Sequence, residues 1–385
     1  MRYKKIAEIA DVVTGGTPST SKSEYWDGGT IPWLQSGCCQ NCDVLSTEKY
    51  ITKSGYDNSS AKMMVPDTVM IALTGATAGK VGYLKFAACG NQSITGILPS
   101  ERINSRFLFY YLISKREHIL ADCIGGAQPH ISQGYVKNIL IPDISLEEQE
   151  KVVTELEKVS LIIREREKQI KLFDELIKAR FVEMFGDENN SKNLPVIKIQ
   201  DVADVQVGVV IKPAQYYTDE ANGTKAFRSL NIGEMHIKDS DWVFFNDEGQ
   251  KKNSKSILRA NDLVIVRSGA PGTACVITKE YEGANAIDVI IAHPDMDKVN
   301  PLYLCAFTNY PHGKRQINEG TGGAAQQHFN VGKYKEMDLI YPPKHEQDEF
   351  VAFVKQVDKS KVEVQKTLEK TQLLFNSLMQ GYFGT

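Results

Sequence analysis

The chain has 385 residues, too many for one ordinary hydrophobic core, so two or three domains are expected. Hydrophobic residues make up 42% and charged residues 24%, as in globular proteins, and a formal net charge of −3 argues against a protein that grips nucleic acid tightly by itself. No apolar stretch approaches the roughly 18 residues that span a bilayer, and the first ten residues lack the apolar core of a secretory signal, so a cytoplasmic location is expected.

Residues 1–144 read as a mixed α/β domain. Short β-type runs such as Val69-Met-Ile-Ala-Leu73 alternate with clusters of Gly, Asn, Asp and Ser, and a helical stretch covers residues 106–113. Cys38, Cys39 and Cys42 contain one C-x-x-C, but no second ligand pair follows. A structural zinc site needs that pair, so these residues, like the scattered Cys89, Cys123, Cys275 and Cys305, read as buried or loop thiols. Residues 75–81, Gly-Ala-Thr-Ala-Gly-Lys-Val, approach a phosphate-binding loop. They are one residue short and carry Val81 where the magnesium-binding hydroxyl belongs.

A compact domain then runs straight into a helix at residues 145–187. Ile139-Leu-Ile-Pro142 ends an apolar run, and Ser145-Leu-Glu-Glu148 forms a capping box in which each end can satisfy the other's backbone amide. Beyond it Val152, Leu156, Val159, Ile163, Ile170, Phe173 and Ile177 fall at alternating four- and three-residue steps, interrupted at Arg166. This is the seam of a coiled coil.

Residues 188–343 repeat the first domain and residues 344–385 repeat the helix. Ile6–Val12 matches Ile199–Val205, Asp67–Ile71 matches Asn261–Ile265, and Gln128-Pro-His130 matches Gln326-Gln-His328. Glu148-Gln149 corresponds to Glu346-Gln347, and Phe185-Gly186 to Phe383-Gly384. The offset drifts from 193 to 198, as expected when loops gain residues and elements keep theirs. The second seam is Phe350, Val354, Val357, Val364, Leu368 and Phe375, interrupted at Lys361 and Thr371. Each helix of about 40 residues would be roughly 60 Å long. Neither seam can stay in water, and pseudo-two-fold pairing of the two helices is antiparallel. The expected fold is therefore α+β: two homologous domains joined by two long helices in an antiparallel coiled coil.

No catalytic constellation emerges. Asn300-Pro-Leu-Tyr303 lacks the second proline of an amino-methyltransferase signature, and no glycine-rich S-adenosylmethionine loop precedes it, so it reads as a helix start. His130 and His328 occupy equivalent positions without a nucleophile motif, and each is either a contact residue or a hydrogen-bonding brace. Trp33 and Phe227 align, which points to a shared core aromatic. What remains are polar loops whose side chains can read base edges by hydrogen bonds. In the first domain the candidates are Gln35, Ser36, Thr74, Thr77, Lys80, Asn91, Gln92, Gln128 and His130. In the second they are Arg228, Asn231, Arg267, Ser268, Asn285, Gln326, Gln327 and His328. The globular regions are nearly neutral, +2 for residues 1–145 and −2 for residues 188–343, which suits a subunit that reads bases while partners grip phosphates.

These features resemble the specificity subunits of type I restriction–modification enzymes over the whole chain. The resemblance rests on the order domain, helix, domain, helix, and on a strand ending in Pro142 or Pro342-Pro343 before Glu148-Gln149 or Glu346-Gln347. Ile9-Ala-Asp-Val-Val-Thr-Gly-Gly-Thr-Pro18 and Gln128-Pro-His-Ile131 are also similar to that family, whereas the second copy departs from the first of these, reading Val207-Gly-Val-Val-Ile-Lys-Pro213. It implies a non-catalytic subunit whose two target-recognition domains each read one half of a split, asymmetric site on double-stranded DNA. The helices would set the gap between the halves, at most some 17 base pairs for a rod of that length. Two methyltransferase subunits would dock on the chain, joined in systems that cleave by two motor–nuclease subunits. S-adenosylmethionine, ATP and Mg²⁺ would be bound by those partners and not by this chain, which would hold no metal. An alternative reading is a protein-binding scaffold with two ligand domains on a coiled-coil rod.

Overall fold

The computed structural model describes residues 2–122, 130–320 and 329–384. The chain packs into two compact units, Met1–Glu167 with Lys366–Thr385, and Lys168–Gln365. Each unit thus holds one globular domain, the beginning of the long helix that follows it, and the end of the other long helix.

In the first unit a five-stranded sheet runs in the order Val12–Thr14, Ile94–Ile97, Val69–Ala72, Val81–Leu84, Cys42–Val44. Val69–Ala72 lies at its centre with all four residues buried, as a continuous apolar run should. A smaller sheet joins Tyr50–Ile51, Ile31–Leu34 and Cys89–Gly90. The helices are Ile6–Ile9, Lys53–Asp57, Ser105–Ser114, Arg116–Ala121 and Gln133–Asn138. The second unit repeats the plan with Ala203–Val207, Val289–Pro294, Leu263–Val266 and Ala274–Val276, with no fifth strand among the described residues. Its smaller sheet has four strands, ordered Tyr217–Thr218, Val243–Phe245, Thr224–Phe227, Asn285–Ala286. Asp67 and Asn261 enter the central strands at φ 65° and 75°, a left-handed turn that short polar side chains tolerate.

Backbone hydrogen bonds correct one alignment. Asn91 N donates to Leu34 O, and Ile287 N donates to Phe227 O. Leu34 is therefore the counterpart of Phe227, one residue from the Trp33–Phe227 alignment read from the sequence, and Gln35 is that of Arg228 and Asn91 that of Ile287. Trp33 corresponds to Ala226. A slip of one residue along a strand moves a side chain to the opposite face, so aligned aromatics need not share an environment.

The first long helix spans Leu146–Phe185 and the second Lys344–Phe383. In the second unit Asp174 meets Lys361 at 2.5 Å and Arg180 meets Glu349 at 3.1 Å. Partners fall in number as positions rise, so the segments are antiparallel. In the first unit Tyr382 OH donates to Glu155, joining the end of one long helix to the beginning of the other. Every seam residue expected from the heptads is buried or half-buried. The cores extend beyond that seam: Met379 and Phe383 pack with Phe107, Tyr111, Val152 and Leu156, while Phe181 and Phe185 pack with Tyr303 and Phe350. Gly186 and Gly384 close the helices in the left-handed conformation, their amides donating to Val182 O and Gln380 O at 2.8 Å.

Each domain is clamped to its helix by a buried glutamine. Gln149 Oε1 accepts from Asn104 N at 2.8 Å, and its Nε2 donates to Ile144 O at 3.1 Å. Gln347 Oε1 accepts from Asn300 N, and its Nε2 donates to Pro342 O, both at 2.9 Å. The asparagines in turn cap the helices Ser105–Ser114 and Pro301–Asn309, and their amides donate to Glu150 and Asp348 at 2.7 Å. Asn300-Pro-Leu-Tyr303 is thus a helix start. Ser145 and Glu148 make the expected capping box, and these bonds hold the Glu148 carboxyl below its usual range. The first unit adds Arg106, which pairs with Asp43 at 2.6 Å and Glu157 at 3.2 Å over the Tyr83 ring.

Two expected outcomes follow from these contacts. Gln347→Ala leaves a buried amide and a buried carbonyl without partners, a loss of about 2–4 kcal/mol; a denaturant midpoint unchanged from the parent chain would refute the clamp. Phe383→Ala should cost about 3–5 kcal/mol in the same assay, and a loss below 1 kcal/mol would show that the helix end does not anchor the first unit.

Candidate nucleic-acid interface

In the first domain the loops at one end of the sheets gather residues far apart in sequence. A cleft of about 460 Å³ is lined by Thr17, Thr20, Trp26, Trp33, Gln35, Lys49, Asn91 and Gln92. A second, of about 740 Å³, includes Thr14, Ser60, Lys62, Gln92, His130 and Gln133. Gln92 belongs to both, and Thr17 Oγ1 donates to its Oε1. Of the sequence candidates, Gln35, Asn91, Gln92 and His130 come together here, and Thr74 joins them through a β-bridge to His130. Gln35, Gln92 and His130 are exposed.

The local reasons are in the chain. Gln35 precedes the one-turn helix Ser36–Cys38, so its side chain leaves the strand as the backbone bends. Asn91 turns the backbone with its own side chain, Oδ1 accepting from Ser93 N at 3.2 Å. Trp33 donates its indole N–H to Gly16 O at 3.0 Å and is 3% exposed, so it is core, and Trp26 packs edge-on against it at 5.0 Å. Trp26, half-buried, is the aromatic that the cleft presents. Thr77 and Lys80 lie on the neighbouring turn, where Lys80 Nζ donates to Gln40 at 2.7 Å. Thr17, Trp26, Lys49 and Lys62 were not foreseen, because only the fold brings their loops beside Gln92.

The second domain distributes its candidates differently. Asn231 is fully buried, with Oδ1 accepting from Arg228 N at 2.9 Å and Nδ2 donating to Ser240 O at 2.7 Å. Asn285 is also fully buried, bonded to Gln250 Oε1 at 2.6 Å and to Ala286 N at 2.9 Å. Both amides brace loops from inside, and neither faces a ligand. Arg228 donates to Asp241 O. Arg267 pairs with Asp288 at 2.7 Å, with only 11% of its side chain exposed. Ser268 is half-buried beside it. Asp288 holds the place of Gln92, so the corner that is an open amide in one domain is an ion pair in the other. Gln128, Gln326, Gln327 and His328 lie outside the described residues.

Other polar clusters are structural. His293 meets Asp262 at 2.6 Å, and its second ring nitrogen faces Gln206 at 2.9 Å, tying two strands to the turn that precedes Leu263–Val266. Cys39 is buried beside Cys38, whose neighbouring sulfur raises its thiol pKa well above the usual range. Among the described residues no group of three or more His, Cys, Asp or Glu is placed to hold a metal ion. No helix among them is long and apolar enough to cross a membrane.

Comparison with known proteins agrees with this architecture. A family model described as the type I restriction modification DNA specificity domain matches residues 1–172 and again 187–373. The type I restriction enzyme MjaIX specificity subunit of Methanocaldococcus jannaschii is 22% identical, over 98% of this chain and 91% of that protein. The EcoR124I/EcoR124II specificity subunit of Escherichia coli is 29% identical over 41% of this chain and 40% of its own. Among solved structures, one from a study of type I restriction–modification complex assembly superposes with a TM-score of 0.60 at 18% identity, covering 99% of this chain and 97% of that one. The S subunit from M. genitalium does so with a TM-score of 0.55 at 14% identity, covering 98% and 95%. With two matches to the family model in one polypeptide and two copies of the same domain, each clamped to a long helix, the chain belongs to the type I restriction–modification specificity subunits and carries two target-recognition domains.

Proposed function

We propose that each globular domain reads one half of a split, asymmetric site on double-stranded DNA, and that the paired helices set the unread gap between the halves. The observation that carries this reading is the repeated glutamine clamp. A buried side chain with both ends bonded holds each domain at a defined angle to its helix. A flexible joint would leave the distance between half-sites undefined. In the first domain Gln35, Asn91, Gln92 and His130 would meet base edges, and Lys49 and Lys62 would meet phosphates. The near-neutral charge of the chain assigns most of the phosphate grip to partners.

Those partners are two methyltransferase subunits, with two motor–nuclease subunits where the system also cleaves. Each unit leaves apolar residues exposed on its helical segments, and Leu176 and Leu374 among them hold the same place in the repeat. Leu161, Ile162, Leu373 and Leu374 are exposed on the helical segments of the first unit, and Leu172, Leu176 and Val362 on those of the second. S-adenosylmethionine, ATP and Mg²⁺ belong to the partners in this reading, and this chain takes no chemical step.

Single-molecule methylome sequencing of a host with and without this chain should reveal a bipartite motif that disappears with it. Replacing residues 188–343 by the corresponding domain of another specificity subunit should change one half of that motif and keep the other half and the gap; an unchanged motif would sink the proposal. Leu172→Glu with Leu176→Glu should reduce the methyltransferase copies bound per chain from two to one, read by native mass spectrometry. Two copies retained at full affinity would place the docking surface elsewhere.

A further inference from the structure

The two domains differ at the loops that would face DNA. Gly16 N donates to Gly90 O at 2.7 Å, and Val209 N donates to Ala286 O at 2.8 Å, which makes Gly16 the counterpart of Val209. Thr17 and Pro18 of the first domain then correspond to Val210 and Ile211. The pairing of Leu34 with Phe227 makes Gly37 the counterpart of Leu230. In the first domain this corner is a hydroxyl, a buried proline and a glycine. In the second it is apolar and open to solvent: Val210 is 52% exposed, Ile211 79% and Leu230 62%.

The backbone holds these side chains outward. Val209 bridges to Ile287, which is bonded in turn to Phe227, so the loop after Val209 and the turn after Arg228 lie on either side of the same strand. Lys212 is left-handed at φ 44° and Pro213 opens a one-turn helix, so the backbone leaves its extended path directly after Ile211, whose side chain stays exposed. Isolated exposed apolar residues need no partner, but these three stand on two loops flanking one strand, where the sister domain has a hydroxyl, a buried proline and a glycine.

We infer that Val210, Ile211 and Leu230 recognise thymine 5-methyl groups in the half-site read by the second domain. The inference rests on the reading that this domain faces the major groove. The thymine methyl is the apolar group that groove displays, and it distinguishes A·T from the other pairs. Lys212, exposed, directly follows Ile211, and Arg228, with one guanidinium N–H on Asp241 O, stands two residues before Leu230; cations beside the apolar residues favour contact with DNA over contact with a partner protein. The first domain, with an amide-lined cleft at the same corner, would read its half-site chiefly by hydrogen bonds.

The test uses the assembled methyltransferase complex and duplexes carrying the motif found by methylome sequencing, with the second domain's half-site assigned by domain exchange. Each thymine in that half-site is replaced singly by deoxyuridine, which removes only the methyl. Binding should weaken roughly fourfold at one or more positions, the value for a buried methyl-sized group. Val210→Ser with Ile211→Ser should weaken binding to the thymine duplex and abolish the thymine–uridine difference, while the base preference at the motif's other half is unchanged. A half-site without any A·T pair, a thymine–uridine ratio of one at every position, or a ratio unchanged in the variant would overturn the inference alone. Loss of methyltransferase assembly in the variant would also overturn it, marking the patch as a protein contact. Absence of any bipartite motif would overturn the proposed function and this inference with it.

Discussion

The structure depends on a bond that a helix wheel does not show: a glutamine at the start of each long helix, buried and bonded at both ends. Gln149 and Gln347 each take a backbone amide from the capping residue of a domain helix and give one to a carbonyl before their own helix. A buried amide is costly unless it is fully paired, so the geometry in which all its bonds form is strongly preferred. Helix, strand end and domain helix therefore meet at one angle in each copy. The neighbouring Asn104–Glu150 and Asn300–Asp348 bonds repeat the constraint at the surface, where solvent weakens them but geometry still adds.

Burial at the far ends of the helices completes each unit. Phe181 and Phe185 reach the core of the second domain, and Met379 and Phe383 reach that of the first. A globular domain here is not a closed core to which a rod is attached. Part of its core is supplied by the end of the helix that follows the other domain. Deforming either junction would disturb packing among large aromatics such as Phe107, Tyr111, Tyr303 and Phe350, where close-packed interiors tolerate little adjustment.

With scaffold geometry so constrained, divergence is concentrated in the loops. The same backbone positions carry Gln35 or Arg228, Asn91 or Ile287, and Gln92 or Asp288. One domain thus presents an amide-lined cleft beside Trp26, and the other an Arg267–Asp288 ion pair and an apolar corner. Two copies of one fold can in this way face two different stretches of a ligand while keeping a common mount.

Much of this was legible in the amino-acid order alone. The duplication, the helix lengths, the seam and the Pro-to-helix junctions are local or periodic, and local propensity with hydrophobic spacing decides them. The repeated Glu-Gln and Phe-Gly pairs marked positions that proved to be clamps and caps, although their partners could not be named from spacing. Which loop residues face outward was not legible. Asn231 and Asn285 are of the same type as Asn91, yet they are buried braces, because a strand's period of two and a shift of one residue decide which side a side chain takes. The two clefts that share Gln92, one with Thr17 and Gln35 and the other with His130, and the placing of Phe185 and Phe383, arise from contacts between segments distant in sequence, and only the tertiary structure decided them.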